Sequence, residues 1–98
     1  MIRTLPLVSV ITVTLNDFSG LAYTVSTVES QTYSNFEHIV VDGVSTDGAA
    51  EFCAVTERRL PYFSYVSEKD QGIFDAMNKG AERARGDLLV FANSDNGF

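Results

Sequence analysis

Apolar runs recur along this chain at a spacing too wide for hairpins, and each run stops at a cluster of polar residues. Residues 7–14, LVSVITVT, are rich in the β-branched side chains that suit a buried, pleated backbone, and they read as a first strand. Residues 16–20 break that run. Leu21, Val25 and Val28 then recur at helical spacing, with Ser19 as the expected N-cap. Residues 36–41 form the second expected strand, ended by Asp42 and Gly43. Thr46 or Asp47 is expected to cap a helix that carries Phe52, Cys53 and Leu60 and is closed by Pro61. Residues 62–66 are a short third strand, followed by a polar loop over 67–72 in which Asp70 is the expected cap of the next helix. Ile73, Met77, Ala81 and Ala84 make the buried stripe of that helix, Gly86 is its expected C′ glycine, and residues 88–92 are a fourth strand.

This alternation of strand and helix implies an α/β fold, with right-handed crossovers and a mainly parallel sheet between helical layers. Ligands of such sheets bind beyond the carboxyl ends of the strands. That rule selects residues 14–17, 42–47, 67–70 and 93–96, stretches dense in carboxylates, amides and hydroxyls. Helix caps account for some of these acids, since carboxylates suit helix N-termini. A purely structural sheet has no need of so many.

Composition narrows the partners. The 98 residues carry 13 acids against 7 bases, for a net charge of -6. That balance argues against binding nucleic acid or an anionic lipid surface. It is compatible with metal-bridged binding of a phosphate ligand, where a cation supplies the positive charge. A single cysteine, Cys53, forbids an internal disulfide and fits a reduced, cytoplasmic setting; its place on an amphipathic helix reads as core packing. No stretch reaches the ~20 apolar residues of a membrane span, and no signal peptide precedes the first strand. The chain is one domain at most. No GxGxxG follows the first strand and no GxxxxGK[ST] occurs, which excludes the usual dinucleotide and P-loop fingerprints. His38, inside the second strand and without Cys or His partners at metal spacing, reads as a sheet residue rather than a ligand. Arg58, Arg59 and the bases from Lys79 to Arg85 read as solvated helix faces, with Lys79 within possible reach of a phosphate.

Five blocks stand in one order: VSVITVTLN at 8–16, QTYSNFE at 31–37, VVDGVSTDG at 40–48, SEKDQGIFDAMNKG at 67–80 and GDLLVFANSD at 86–95. Together they resemble the amino-terminal, donor-binding half of a family 2 glycosyltransferase, in the branch associated with exopolysaccharide or colanic-acid-type synthesis. The resemblance covers nearly the whole chain. It implies a three-layer, Rossmann-like GT-A half domain over residues 1–98 that is truncated after the metal-motif position. It further implies a nucleotide-sugar donor, commonly a UDP-sugar, and a glycan or lipid-linked acceptor. Thr14 and Asn16 would line the nucleotide pocket, Asp42 would bind the base, Asp70 would lie near the nucleoside, and Asp75 and Asn78 would shape the sugar-phosphate side. Asn93, Asp95 and Asn96 take the place of the DxD-type motif, which holds Mg²⁺ or Mn²⁺ against the diphosphate.

Two departures accompany the resemblance. Asn93 and Asn96 stand where carboxylates are usual, so Asp95 is the one formal charge of that loop, and amide oxygens hold a hard cation more weakly than carboxylates do. The family's acceptor half and its catalytic base would follow residue 98, so no residue is assigned as the base. A sheet ending in that way exposes apolar surface that a second copy could cover. Two other readings stand beside the family one. One is a non-catalytic remnant or interaction module that keeps the fold. The other is an unrelated doubly wound domain of receiver type, whose acidic cluster and phosphoacceptor order do not match this chain.

Overall fold

The computed structural model describes residues 5–93. Its elements run β1 (Val8–Thr14), α1 (Phe18–Ser30), β2 (Phe36–Asp42), α2 (Ala49–Arg59), β3 (Phe63–Ser67), α3 (Ile73–Arg83) and β4 (Leu88–Phe91). The strands form one parallel sheet in the order β3-β2-β1-β4. β1 and β2 pair from Val8–Phe36 to Thr14–Asp42, so their carboxyl ends lie level. Chain order runs outward from β1 through β2 to β3 and then jumps to the other side for β4. The reversal falls between β1 and β4, where open α/β sheets place a ligand crevice.

Successive strand residues face opposite sides of a sheet, and the two cores show it. Val40 packs with Leu21 and Val25 of α1, Ala49 and Cys53 of α2, and Phe63. Val41 packs on the other face with Val13 and Ala76, flanked by Val66, Ile73 and Met77. The three expected layers are therefore α1 with α2, the sheet, and α3. Close approach of α3 to β1 requires Gly80, because a Cβ there would lie 2.4 Å from Ile11 Cγ2. Burial accounts for Cys53, which is fully enclosed and whose thiol is pushed up to about 12 chiefly by desolvation.

The helix ends correct several expectations. α1 is capped by Asp17, whose side chain accepts from the Gly20 backbone N–H, and Ser19 lies inside the helix. At α2 the cap position is Gly48, in the left-handed region at φ 94, while Asp47 Oδ1 accepts from the Ala49 N–H at 3.2 Å. The cap position of α3 is Gly72, at φ 109, and Asp70 does not cap the helix. Its C-cap is Ala84, not a residue followed directly by glycine. Gly86 serves close packing instead, since a Cβ there would meet Ser9 Oγ at 2.5 Å and Leu7 O at 2.7 Å.

Away from the carboxyl ends, a polar network fixes the turn into β4. Glu37 Oε2 accepts from Ser9 Oγ at 2.6 Å and from the Arg85 N–H at 2.7 Å, and Ser9 Oγ accepts from the Gly86 N–H at 2.8 Å. Burial raises the Glu37 carboxyl, but the bonds from Ser9 and Arg85 outweigh it and leave the group below its usual range. No helix among the described residues is long and apolar enough to cross a membrane.

Candidate functional site

The level ends of β1 and β2 bring two polar turns together. Asp42, the last residue of β2, is fully buried. Its carboxylate accepts from the Ser45 N–H at 3.2 Å, from Ser45 Oγ, and from Ser67 Oγ at 2.8 Å. The first of these folds the loop back onto the strand end, the local reason for an aspartate three residues before a serine. Ser45 Oγ in turn accepts from the Asn16 N–H at 2.7 Å, and Asn16 Oδ1 accepts from the Thr46 N–H at 2.8 Å. Gly43 N–H donates to Thr14 O at 3.0 Å, and Glu68 N–H donates to Asp42 O at 2.9 Å. Three strand ends, β1, β2 and β3, are thereby tied to one carboxylate. Asp47 adds a further tie, since its Oδ2 accepts from the Phe18 N–H at 2.8 Å and so fixes the start of α1.

Backbone strain collects here. Asn16 at φ 50 and Val44 at φ 65 are the non-glycine residues with positive φ among those described. Asparagine tolerates this region, but a β-branched residue does so at a cost of about 1–2 kcal/mol. Such outliers concentrate at functional sites.

A second cluster hangs below β3. Lys79 Nζ donates to Asp70 Oδ1 at 2.7 Å and to Lys69 O at 2.9 Å, and it also lies 3.3 Å from Glu68 Oε1 and 3.5 Å from Asp75 Oδ2. The bond to Asp70 holds its ammonium above the ordinary lysine range. Asp75 Oδ2 accepts from the Gln71 N–H at 2.9 Å. Asp70 is almost wholly enclosed, yet its Oδ2 has no partner. The end of β4 offers a comparable atom, Asn93 Oδ1, which is buried without a hydrogen bond. A lone, hard oxygen of this kind fits a divalent cation. Among the described residues no three His, Cys, Asp or Glu side chains converge as a metal cluster.

The profile of glycosyl transferase family 2 matches residues 9–98. The chain belongs to that family. An uncharacterized glycosyltransferase of Mycobacterium tuberculosis is 45% identical over 94 residues, which are 95% of this chain and 35% of that protein. A PGL/p-HBAD biosynthesis glycosyltransferase of Mycobacterium bovis is 34% identical over 92 residues, 93% of this chain and 36% of that protein. The chain thus spans about a third of the length of the curated relatives it matches. A mannosyltransferase from Pyrobaculum calidifontis, solved in complex with GDP-Man and Mn²⁺, aligns with a TM-score of 0.84 at 26% identity. That alignment takes in 95% of this chain and 28% of the mannosyltransferase. The GT-A half domain implied by the sequence blocks is the fold observed.

Within this family 2 chain, the structure brings Thr14, Asn16 and Asp42 together at one edge and links Asp70 to Asp75 through Lys79. Ser67 and Glu68 join the two groups, since both bond to Asp42. Asn78 is exposed on α3. Asp95 and Asn96 lie outside the described residues. Lys79 is held by carboxylates rather than standing free for a phosphate, which corrects its reading as a solvated base. Arg59, likewise, forms a two-pronged pair with Glu29 at 2.9 and 3.1 Å. Sequence reasoning missed Ser67 as a partner of Asp42. The signal was weak, a serine at a strand end, and the pairing of β2 with β3 alone makes it meaningful.

Proposed function

We propose that this chain is the donor-binding part of a family 2 glycosyltransferase and takes a nucleoside diphosphate sugar at the carboxyl ends of β1, β2 and β4. The observation that carries the reading is the joining of Ser45 and Ser67 to the buried Asp42 carboxylate at that edge, with Asn16 tied to it through Ser45. A carboxylate has about four lone-pair sites, and the loop uses three of Asp42's. A base or ribose donor would take the remaining site or displace the Ser67 hydroxyl. Thr14 and Asn16 flank the nucleoside, Asp70 offers its unpartnered Oδ2, and Asp75 and Asn78 border the sugar-phosphate side. Mg²⁺ or Mn²⁺ would be held by Asn93, Asp95 and Asn96 and would offset the diphosphate charge. The net charge of -6 is compatible with such a metal-bridged diphosphate, the cation supplying the positive charge that the chain lacks.

We favour a UDP-sugar as donor, a glycan or lipid-linked acceptor, and the exopolysaccharide branch of the family, on the strength of the five sequence blocks. GDP-Man in the mannosyltransferase makes guanosine the competing base. A cytoplasmic setting belongs to the same reading, in keeping with a single cysteine and no internal disulfide. Transfer requires a base to take the acceptor's proton, worth ~10²–10⁴-fold in rate. No residue of this chain is assigned that role, so donor binding with slow donor hydrolysis is its own expected activity. The exposed β4 side chains support self-association of the isolated chain through that edge.

The test is calorimetry with UDP, GDP and their sugars, each with and without Mn²⁺, on the wild type and on Asp42→Asn, with circular dichroism to confirm the variant's fold. Metal-dependent binding of one base, weakened about tenfold or more by the substitution, is expected. Equal affinity in wild type and variant removes Asp42 from the site.

A further inference from the structure

The side chains of β4 are all exposed, so burial alone does not fix where this strand ends. Two hydrogen bonds do. Ala92 N–H donates to Ile11 O at 2.9 Å, and Ala92 O accepts from Thr12 Oγ1 at 2.6 Å. Thr12 is itself fully buried, and its Oγ1 lies 2.8 Å from Nε2 of His38, also fully buried. A hydroxyl carries one proton. Since Thr12 gives that proton to Ala92, the contact with His38 requires an Nε2–H donor. Burial keeps the imidazole neutral near pH 7, so it is the Nε2–H tautomer, with Nδ1 an acceptor that has no partner, and the ring meets Phe63 edge-on at 5.4 Å. A one-way chain of donors thus runs from β2 through β1 to the last carbonyl before Asn93.

An apolar pair of similar volume at positions 12 and 38 would fill the same space without desolvating a hydroxyl and an imidazole. What the polar pair adds is direction. We propose that Thr12 and His38 are positioning residues, which set the course of the chain as it leaves β4 and so aim Asn93 Oδ1 into the donor site. The purpose rests on the donor-site reading above; the tether itself does not. It also gives the exposed β4 a fixed end that no core contact provides.

The experiment is NMR of the 98-residue chain, wild type, Thr12→Val and Thr12→Ser. Long-range ¹H–¹⁵N spectra of the wild type should show His38 protonated at Nε2, and the Nδ1–H tautomer overturns the proposal. In Thr12→Val the Ala92 amide should exchange about tenfold faster relative to those of Val40 and Val41, and Thr12→Ser should restore protection. Uniform acceleration across the sheet, or no rescue by serine, reduces the pair to a structural role and overturns the inference. Should Thr12→Val fail to fold, the wild-type tautomer and the serine variant decide the matter. With GDP or UDP present, Mn²⁺ should broaden the Asn93 amide, at about tenfold higher metal in Thr12→Val. Equal broadening at equal metal overturns the positioning role. Absence of broadening in every form counts against the donor-site reading, while tautomer and exchange still decide the tether.

Discussion

His38 makes the stability of this chain depend on pH in a calculable way. Desolvation lowers the imidazole from the ordinary 6.5 to about 4, because the ring is enclosed between Thr12 and Phe63. The unfolded chain takes up a proton on this residue as the pH falls through about 6.5, whereas the folded chain resists until about 4. Stability from this group is therefore complete above the higher value and is lost as the pH falls towards the lower. At about 1.4 kcal/mol for each pH unit between them, the loss approaches 3 kcal/mol, or on the order of a hundredfold in the folding equilibrium. Carboxylates titrate in the same range, so the assay is a comparison. Urea unfolding of the wild type and of His38→Gln, a neutral donor at the same place, is followed from about pH 7 to about pH 4. The wild type should lose about 3 kcal/mol more than the variant across that window. Parallel curves, or a His38 that titrates near its ordinary value by NMR, would refute the reasoning.

Other expectations are local. Val44→Gly should raise stability by about 1 kcal/mol in thermal unfolding, because it relieves a β-branched residue held at φ 65; a loss would show that the side chain, though exposed, makes a needed contact. Gly80→Ala should cost about 1–3 kcal/mol, since its methyl would press on Ile11 and force α3 away from β1. The isolated chain should sediment as a dimer or larger species at tens of micromolar, on the order of where weak interfaces show. Leu89→Lys should then give a monomer, and a monomeric wild type would exclude the β4 edge as an interface.

Much of the architecture was legible in one dimension. The β-branched runs and the helical recurrence of Leu21, Val25 and Val28 gave the element order and the parallel sheet, because burial demands those periods wherever the elements end up. The rule that ligands gather at strand ends selected Asn16, Asp42 and Asp70 before any packing was known. Helix starts were misplaced for a physical reason. Ser19, Asp70 and Thr46 are all competent caps in isolation, and the choice among neighbours depends on what else competes for each side chain. Asp70 is taken by Lys79, nine residues along the chain, and Asp47 divides its oxygens between the Ala49 and Phe18 backbones.

The sequence by itself determined the fold class, the family and the edge at which polar residues collect. Tertiary structure alone decided that Asp42 is buried as the anchor of three strand ends, that Lys79 is bound by acids, and that Thr12 stands between His38 and Ala92. These partnerships join residues distant in the chain, the last of them 80 positions apart. A local pattern records which side chains a residue can satisfy. Only the register of the sheet and the crossing of α3 determine which of them it meets.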